Sequence, residues 1–376
     1  MSLQHPKLQF HVFFNPQVSL LCKQCLRDEK ALVDVSIYSL NLLLFPFEND
    51  LVSQELSDCC YRMFSKKDRT AYSSILESIR VLQSKSGGIS EIHGIGDRAV
   101  FLLESIQKQK NKFLQCETDA SNPPIRHLIL VDRSVDFNSL FVTPLTYEGL
   151  IDEVLGIQTS SVSVRSSVIG RRGEGTESVL LSNDDYLFSE IRNKNIAVIP
   201  QALQNKLYEM QMETSNSGRK LPSKQDSFDQ LQIHQGVQKS GISDLITNVT
   251  NGYQFRQRWQ MEHEILEGEQ LLDYIVERIT LQDALPLILR LLVLYSLVNS
   301  GLRGKDYDAV RKEIIQVGSG KRGATKTYGY SNLLTLYNLE RAGLLGKREG
   351  GKNYAAIRNK LQLVKDVGGE NAKEMQ

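Results

Sequence analysis

Apolar positions recur along the chain with two periods, and the switch between them predicts its organisation. Leu8 to Phe14 (LQFHVFF) reads as a strand, and Leu40 to Phe47 (LNLLLFPF) as an apolar run stopped by Pro46. Ile75, Leu76, Ile79 and Leu82 share one helical face, ended by Gly87-Gly88, and Val100, Leu103 and Ile106 make another. After Pro123-Pro124, Ile125 to Val131 (IRHLILV) becomes nearly continuously apolar. That predicts a strand buried on both faces of a parallel sheet covered by helices. Helices before a buried strand imply an α/β layer over residues 1 to about 145.

Beyond it the pattern is broken by polar stretches. Ser160 to Ser178, rich in Ser, Gly and Arg, predicts a long loop. An amphipathic helix with Leu203, Leu207 and Met210 precedes a second polar stretch, Glu213 to Ser227, and Leu231 and Ile233 form a short apolar patch after it. From about Gly252 the signal is helical, with stripes at Leu271, Leu272, Ile275, Val276 and Ile279, and at Tyr307, Val310 and Ile314. Gly318 to Lys326 predicts a third loop, Ser331 can cap a helix through Leu333 and Leu336, and Tyr354, Ile357, Leu361 and Val364 form the last stripe. The most apolar stretch, Leu285 to Val298, contains Pro286 and Arg290 and falls short of the roughly 20 residues of a spanning helix. It predicts a buried core helix.

Composition narrows the classes. The 376 residues suggest about two or three domains. With 45 Lys+Arg against 44 Asp+Glu, the net charge of +1 excludes a uniformly basic nucleic-acid binder. Hydrophobic residues at 41% supply enough apolar mass for cores and exclude disorder of the whole chain. Five cysteines, an odd and sparse set, fit a reducing compartment, and the Cys22–Cys25 pair lacks the second pair a zinc site needs. One local imbalance stands out: Arg303 to Lys365 holds 14 Lys/Arg against 5 Asp/Glu. With the Gly-rich loop at Gly346 to Gly351, it keeps open a second class, a basic helical protein that binds nucleic acid or anionic lipid.

Enzyme motifs are missing from the sequence. Gly318 to Gly323 has the glycine spacing of a phosphate loop, but Ala324 stands where the Lys is required. There is no GxGxxG after a strand, no GxSxG elbow and no HExxH pair. The expectation is a non-enzyme without cofactor or metal.

One motif is dense. Asp132-Arg133-Ser134-Val135-Asp136 ends the apolar strand, and Leu145 to Glu153 (LTYEGLIDE) turns into a helix with acids in its first turns. Asp132, Arg133, Asp136, Tyr147 and Glu148 read as a structural charge network in which Arg133 forks to a carboxylate. LVDRSVD with LTYEGLIDE resembles the Sec/Munc (SM) family, as do Leu289 to Leu302, Tyr328 to Leu345 and Ser19 to Arg27.

The resemblance implies an α/β partial parallel sheet followed by a mostly helical domain, truncated at both ends relative to the family. Residues 1–20 correspond to the tail of a first domain, 21–145 to half of an α/β second domain, and 146–376 to a helical third domain. It implies binding proteins without catalysis, which guide SNARE assembly. Within the family the similarity is to the HOPS and CORVET tether subunits, cytoplasmic proteins reaching endosome and lysosome or vacuole membranes only through partners. A SNARE-binding hairpin is implied at about 195–240, with Leu203, Leu207 and Met210 on its exposed face. Helices at about 285–365 are implied to bind the tether subunit vacuolar protein sorting-associated protein 16, through Arg311, Tyr330 and Leu333.

Overall fold

The computed structural model describes residues 10–15, 18–29, 35–40, 42–108, 125–171, 173–216, 224–315, 328–329 and 332–348, without the side chains of 207, 209–211, 213–216, 224–235 and 237. They form two compact units, residues 1–62 with 68–132, and 63–67 with 133–376. The predicted loop Gly318 to Lys326, the cap Ser331 and the stripe from Tyr354 to Val364 lie outside the described residues.

In the first unit, β1 (Phe10–Phe14) and β2 (Val35–Ser39) pair in parallel around α1 (Leu20–Asp28). The Ser19 hydroxyl caps α1 by accepting the Cys22 N–H at 3.0 Å. The expected domain boundary at residue 20 therefore falls inside a strand–helix–strand unit. Two short strands, β3 (Phe45–Pro46) and β4 (Val52–Ser53), pair antiparallel. Next come α2 (Thr70–Lys85), β5 (Ile89–Ile95), α3 (Asp97–Lys108) and β6 (Ile125–Val131). β5 and β6 are parallel, with Ile92 opposite Leu128 and Gly94 opposite Leu130.

The helical stripes pack on one sheet face. Ile75, Leu76 and Ile79 of α2 and Ile106 of α3 meet Ile92, Leu128 and Leu130. Among the described residues nothing covers the opposite face, where Ile129 is 61% and Val131 63% exposed. This corrects the expected two-faced burial of β6. A continuous apolar run specifies strand formation, whereas what covers each face depends on elements distant in sequence.

The second unit begins with α4 (Asn138–Phe141) and α5 (Tyr147–Leu155). The predicted long loop at Ser160 to Ser178 is instead an antiparallel hairpin, β7 (Ser161–Arg165) with β8 (Thr176–Leu180). Val162 and Val164 alternate with exposed Ser163 and Arg165, which is strand periodicity obscured by Ser and Gly content. After α6 (Tyr186–Ile191), two long helices, α7 (Ile199–Asn216) and α8 (Lys224–Thr250), pack against each other. Tyr147, Leu150, Val162, Val179, Phe188 and Ile242 lie at the centre of the core that joins these elements.

α8 crosses the hairpin's connecting loop very closely. A Cβ on Gly241 would lie 1.8 Å from the Val168 carbonyl oxygen, so only hydrogen fits there. Gly241→Ala is expected to destabilise the second unit by about 1–3 kcal/mol or more, because backbone must move. Thermal unfolding followed by circular dichroism measures this, and an unchanged midpoint would mean that the loop yields freely.

A second core holds α9 (Tyr253–Glu267), α10 (Leu272–Thr280), α11 (Leu285–Val298), α12 (Gly304–Ile315) and α13 (Leu333–Arg341). α11 opens with Pro286 in its first turn and buries consecutive residues from Leu291 to Ser296, so it is enclosed on all sides. Among the described residues no helix is long and apolar enough to cross a membrane. The expected boundary at residue 145 lies within this second unit, which starts at Arg133 apart from residues 63–67.

Candidate interaction surfaces

The dense motif resolves into separate parts. Asp132 is buried, and its Oδ2 accepts the Arg98 N–H at 3.0 Å and faces Arg98 Nη1 at 3.3 Å. It thereby closes the first turn of α3 from the end of β6. Arg133 is exposed and donates to the Asp136 carbonyl oxygen, with its guanidinium 3.8 Å from Asp136 Oδ2. The expected fork from Arg133 to a carboxylate is thus corrected: its side chain faces solvent and bonds the Asp136 carbonyl oxygen instead. Asp136 accepts from the Ser139 hydroxyl and from its N–H at 3.1 Å. The hydroxyl bond is the chief reason its carboxyl sits below the ordinary value.

The second half of the motif is structural and buried. Thr146 caps α5, accepting the Gly149 N–H at 3.3 Å. A Cβ at Gly149 would meet Pro144 Cγ at 2.7 Å and Thr146 Oγ1 at 2.8 Å, so the cap and the preceding proline require this glycine. Tyr147 is fully buried and donates its hydroxyl to the Lys239 carbonyl at 2.8 Å. Burial pushes its phenol far above the ordinary value. Glu148 receives a two-pronged bond from Arg192, at 2.8 Å on each oxygen.

Two buried ionic groups find partners far away along the chain. Arg290, the lone charge in α11, donates to both oxygens of Glu153, at 2.8 and 2.7 Å, and to Thr143 Oγ1 at 3.2 Å. Thr143 in turn donates its N–H (2.7 Å) and hydroxyl (2.9 Å) to buried Glu262. Burial raises the Glu262 carboxyl against the pull of these bonds and of Arg290. Lys239 is enclosed, with Nζ 3.1 Å from Asp185 Oδ2, and Asp185 also caps α6 by accepting the Phe188 N–H at 3.1 Å. A lone Arg in an apolar run signals a buried partner, but not which acid supplies it.

The α7–α8 pair occupies the expected hairpin region, with a different exposed face. Leu203 is fully buried in the core with Ile242 and Ile246, which corrects its expected place on the exposed face. It lies near the start of α7, where the hairpin is rooted in the unit. The side chains of Leu207 and Met210 lie outside the described residues. Among the described side chains of α7, the exposed large apolar ones are Tyr208 at 61% and Met212 at 45%, four positions apart and so on one helical face.

Of the expected tether contacts, Tyr330 lies outside the described residues. Arg311 is exposed on α12 and lines a small apolar pocket with Leu302, Tyr307, Val310 and Leu336. Leu333 is partly exposed at the start of α13, followed by more exposed Leu334 and Tyr337.

Similarity to known proteins agrees with this architecture. The Sec1 family model matches residues 2–375. The chain is 31% identical to the vacuolar protein-sorting-associated protein 33 homolog of Arabidopsis thaliana, covering 94% of this chain and 60% of that one. It is 32% identical to vacuolar protein sorting-associated protein 33A of Rattus norvegicus, over 97% of this chain and 63% of the relative. It thus spans about three-fifths of their length. In solved structures, the fold matches the Unc18-syntaxin 1 complex from Monosiga brevicollis, with TM-score 0.60, 15% identity, and coverage of 96% of this chain and 66% of that one. The SM protein Vps45 in complex with the Qa SNARE Tlg2 gives TM-score 0.55 and 16% identity, covering 96% of this chain and 65% of that one. By the match across nearly its full extent, and by a fold shared with SM proteins, the chain belongs to the Sec1 family.

Proposed function

We propose that the chain binds SNARE proteins and guides their assembly in vesicle tethering and fusion, as a HOPS or CORVET subunit at endosomes and lysosomes or vacuoles. In this reading vacuolar protein sorting-associated protein 16 is its tether partner, membranes are reached through partners, and no reaction is catalysed. The observation that carries the reading is the long α7–α8 hairpin, rooted in a rigid core, in a Sec1-family chain whose relatives are named for vacuolar protein sorting. SNARE motifs are amphipathic helices, and such helices dock apolar side chains at spacings of three and four onto a complementary helical surface. Tyr208 and Met212 offer such a surface, an aromatic anchor beside an adaptable thioether.

Capture of purified SNARE motifs and of the tether subunit by the immobilised chain tests the proposal. Tyr208→Asp with Met212→Asp is expected to weaken SNARE capture by at least about tenfold, since charge replaces buried apolar contact. Tether capture should remain. A folded wild-type chain that captures neither class of partner would overturn the proposal. Unchanged SNARE capture by the double variant would remove these residues from the contact.

A further inference from the structure

The open face of the β5–β6 sheet carries a group that the fold does not use. Glu91 and His93 are two residues apart on β5 and project to the same side, and His127 is the direct cross-strand partner of Glu91 on β6. Their side chains are each more than half exposed. Glu91 Oε2 lies 3.4 Å from His93 Nε2 and 3.3 Å from His127 Nδ1. The ligand atoms of all three fall within 4.8 Å of one another. The two imidazoles stack, with ring centroids 5.7 Å apart.

We propose that Glu91, His93 and His127 form a binding site for a divalent transition-metal cation of the zinc class. Metal–ligand bonds of about 2.0–2.1 Å at tetrahedral angles place ligand atoms about 3.3 Å apart. Both Glu91-to-histidine separations already have that value. The third edge, between the two imidazoles, lies within 4.8 Å, and rotation of these half-exposed rings would close it. Two imidazoles and one carboxylate form a ligand set that zinc, cobalt and nickel accept, with water completing the shell. The bound cation would tie β5 to β6 across their ladder and so stabilise the first unit by mass action. The sequence signal, Glu-x-His on one strand and a lone His on another, is too sparse to read without the register.

Cobalt(II) is the probe, because its spectrum separates this site from thiolate ligation by any of the chain's five cysteines. Titration of the full chain with Co²⁺ alone is expected to give one saturable site. Its visible bands should be those of nitrogen and oxygen ligation, without the ultraviolet thiolate band, and the thermal midpoint should rise. His127→Ala and the isosteric Glu91→Gln should each weaken binding by at least about tenfold. Since all three side chains are exposed, Glu91→Gln leaves the fold intact should His127→Ala disturb it. The absence of saturable binding overturns the proposal, as does binding that shows only thiolate bands or affinity unchanged in both variants.

Discussion

Replacing Arg290 by Met is expected to destabilise the second unit by roughly 3–5 kcal/mol at neutral pH, because it strands charge in the interior. Arg290 joins α11 to α5 by its paired bonds to Glu153, and it touches the Thr143 hydroxyl that donates to Glu262. Both carboxylates are largely or wholly enclosed. Met fills the volume of the aliphatic stem and leaves Glu153 only the longer contact to Arg258, at 3.5 Å, while Glu262 keeps its bonds from Thr143 but loses its nearer cation. Denaturant unfolding can be followed by the chain's single tryptophan, Trp259, which packs against the first core of this unit.

The pH dependence adds a second criterion. Burial holds Glu262 above its ordinary carboxyl value of 4.5, while Arg290 and Arg258 pull it down. A group with a raised folded-state pKa binds more protons folded than unfolded in that window. Its ionisation therefore removes stability as pH rises from 4.5 through the folded-state value. Loss of Arg290 pushes Glu262 higher still. The variant should fall more steeply in stability across the window than the wild type, so the gap between them widens toward neutral pH. A pH-independent difference, or one below about 1 kcal/mol, would sink the claim that this cation offsets buried acids.

Asp185→Ala should be comparably damaging. Asp185 neutralises Lys239, whose side chain is 1% exposed, and it caps α6. Its removal combines an unpaired buried ammonium, about 3–5 kcal/mol, with a lost cap of about 1 kcal/mol. Asp185→Asn keeps a cap oxygen and removes the charge, so it should recover roughly the cap contribution alone. Equal stability of the Ala and Asn variants would show that the cap contributes nothing. Wild-type stability in either would show that Lys239 finds another counter-charge.

These two predictions rest on pairings that no sequence pattern identifies. Arg290 is conspicuous inside LPLILRLLVLYSLV, yet its partner Glu153 lies 137 positions earlier. Lys239 and Asp185 lie 54 positions apart, and no spacing or motif in the sequence joins them. Asp132 is the reverse case. The motif places it in a charge network with adjacent Arg133, and it serves as helix cap and ion pair, but through Arg98 instead.

What the sequence determined by itself was local or carried by a dense motif. The stripes of α2, α3, α10 and α12 follow from apolar residues three and four apart, because helix geometry aligns them whatever lies opposite. LVDRSVD and LTYEGLIDE carried the family, and Gly149 in the second is required by contacts within five residues. Only the tertiary structure decided what faces what. It left one side of β6 open, made the Ser-rich segment at 161–180 a hairpin by burying Val162, Val164 and Val179, and sank Leu203 while exposing Tyr208 and Met212. It also brought His127 beside Glu91. Burial, register and ion pairing join residues distant along the chain, and their free energies depend on the neighbour met in space, which a local period does not encode.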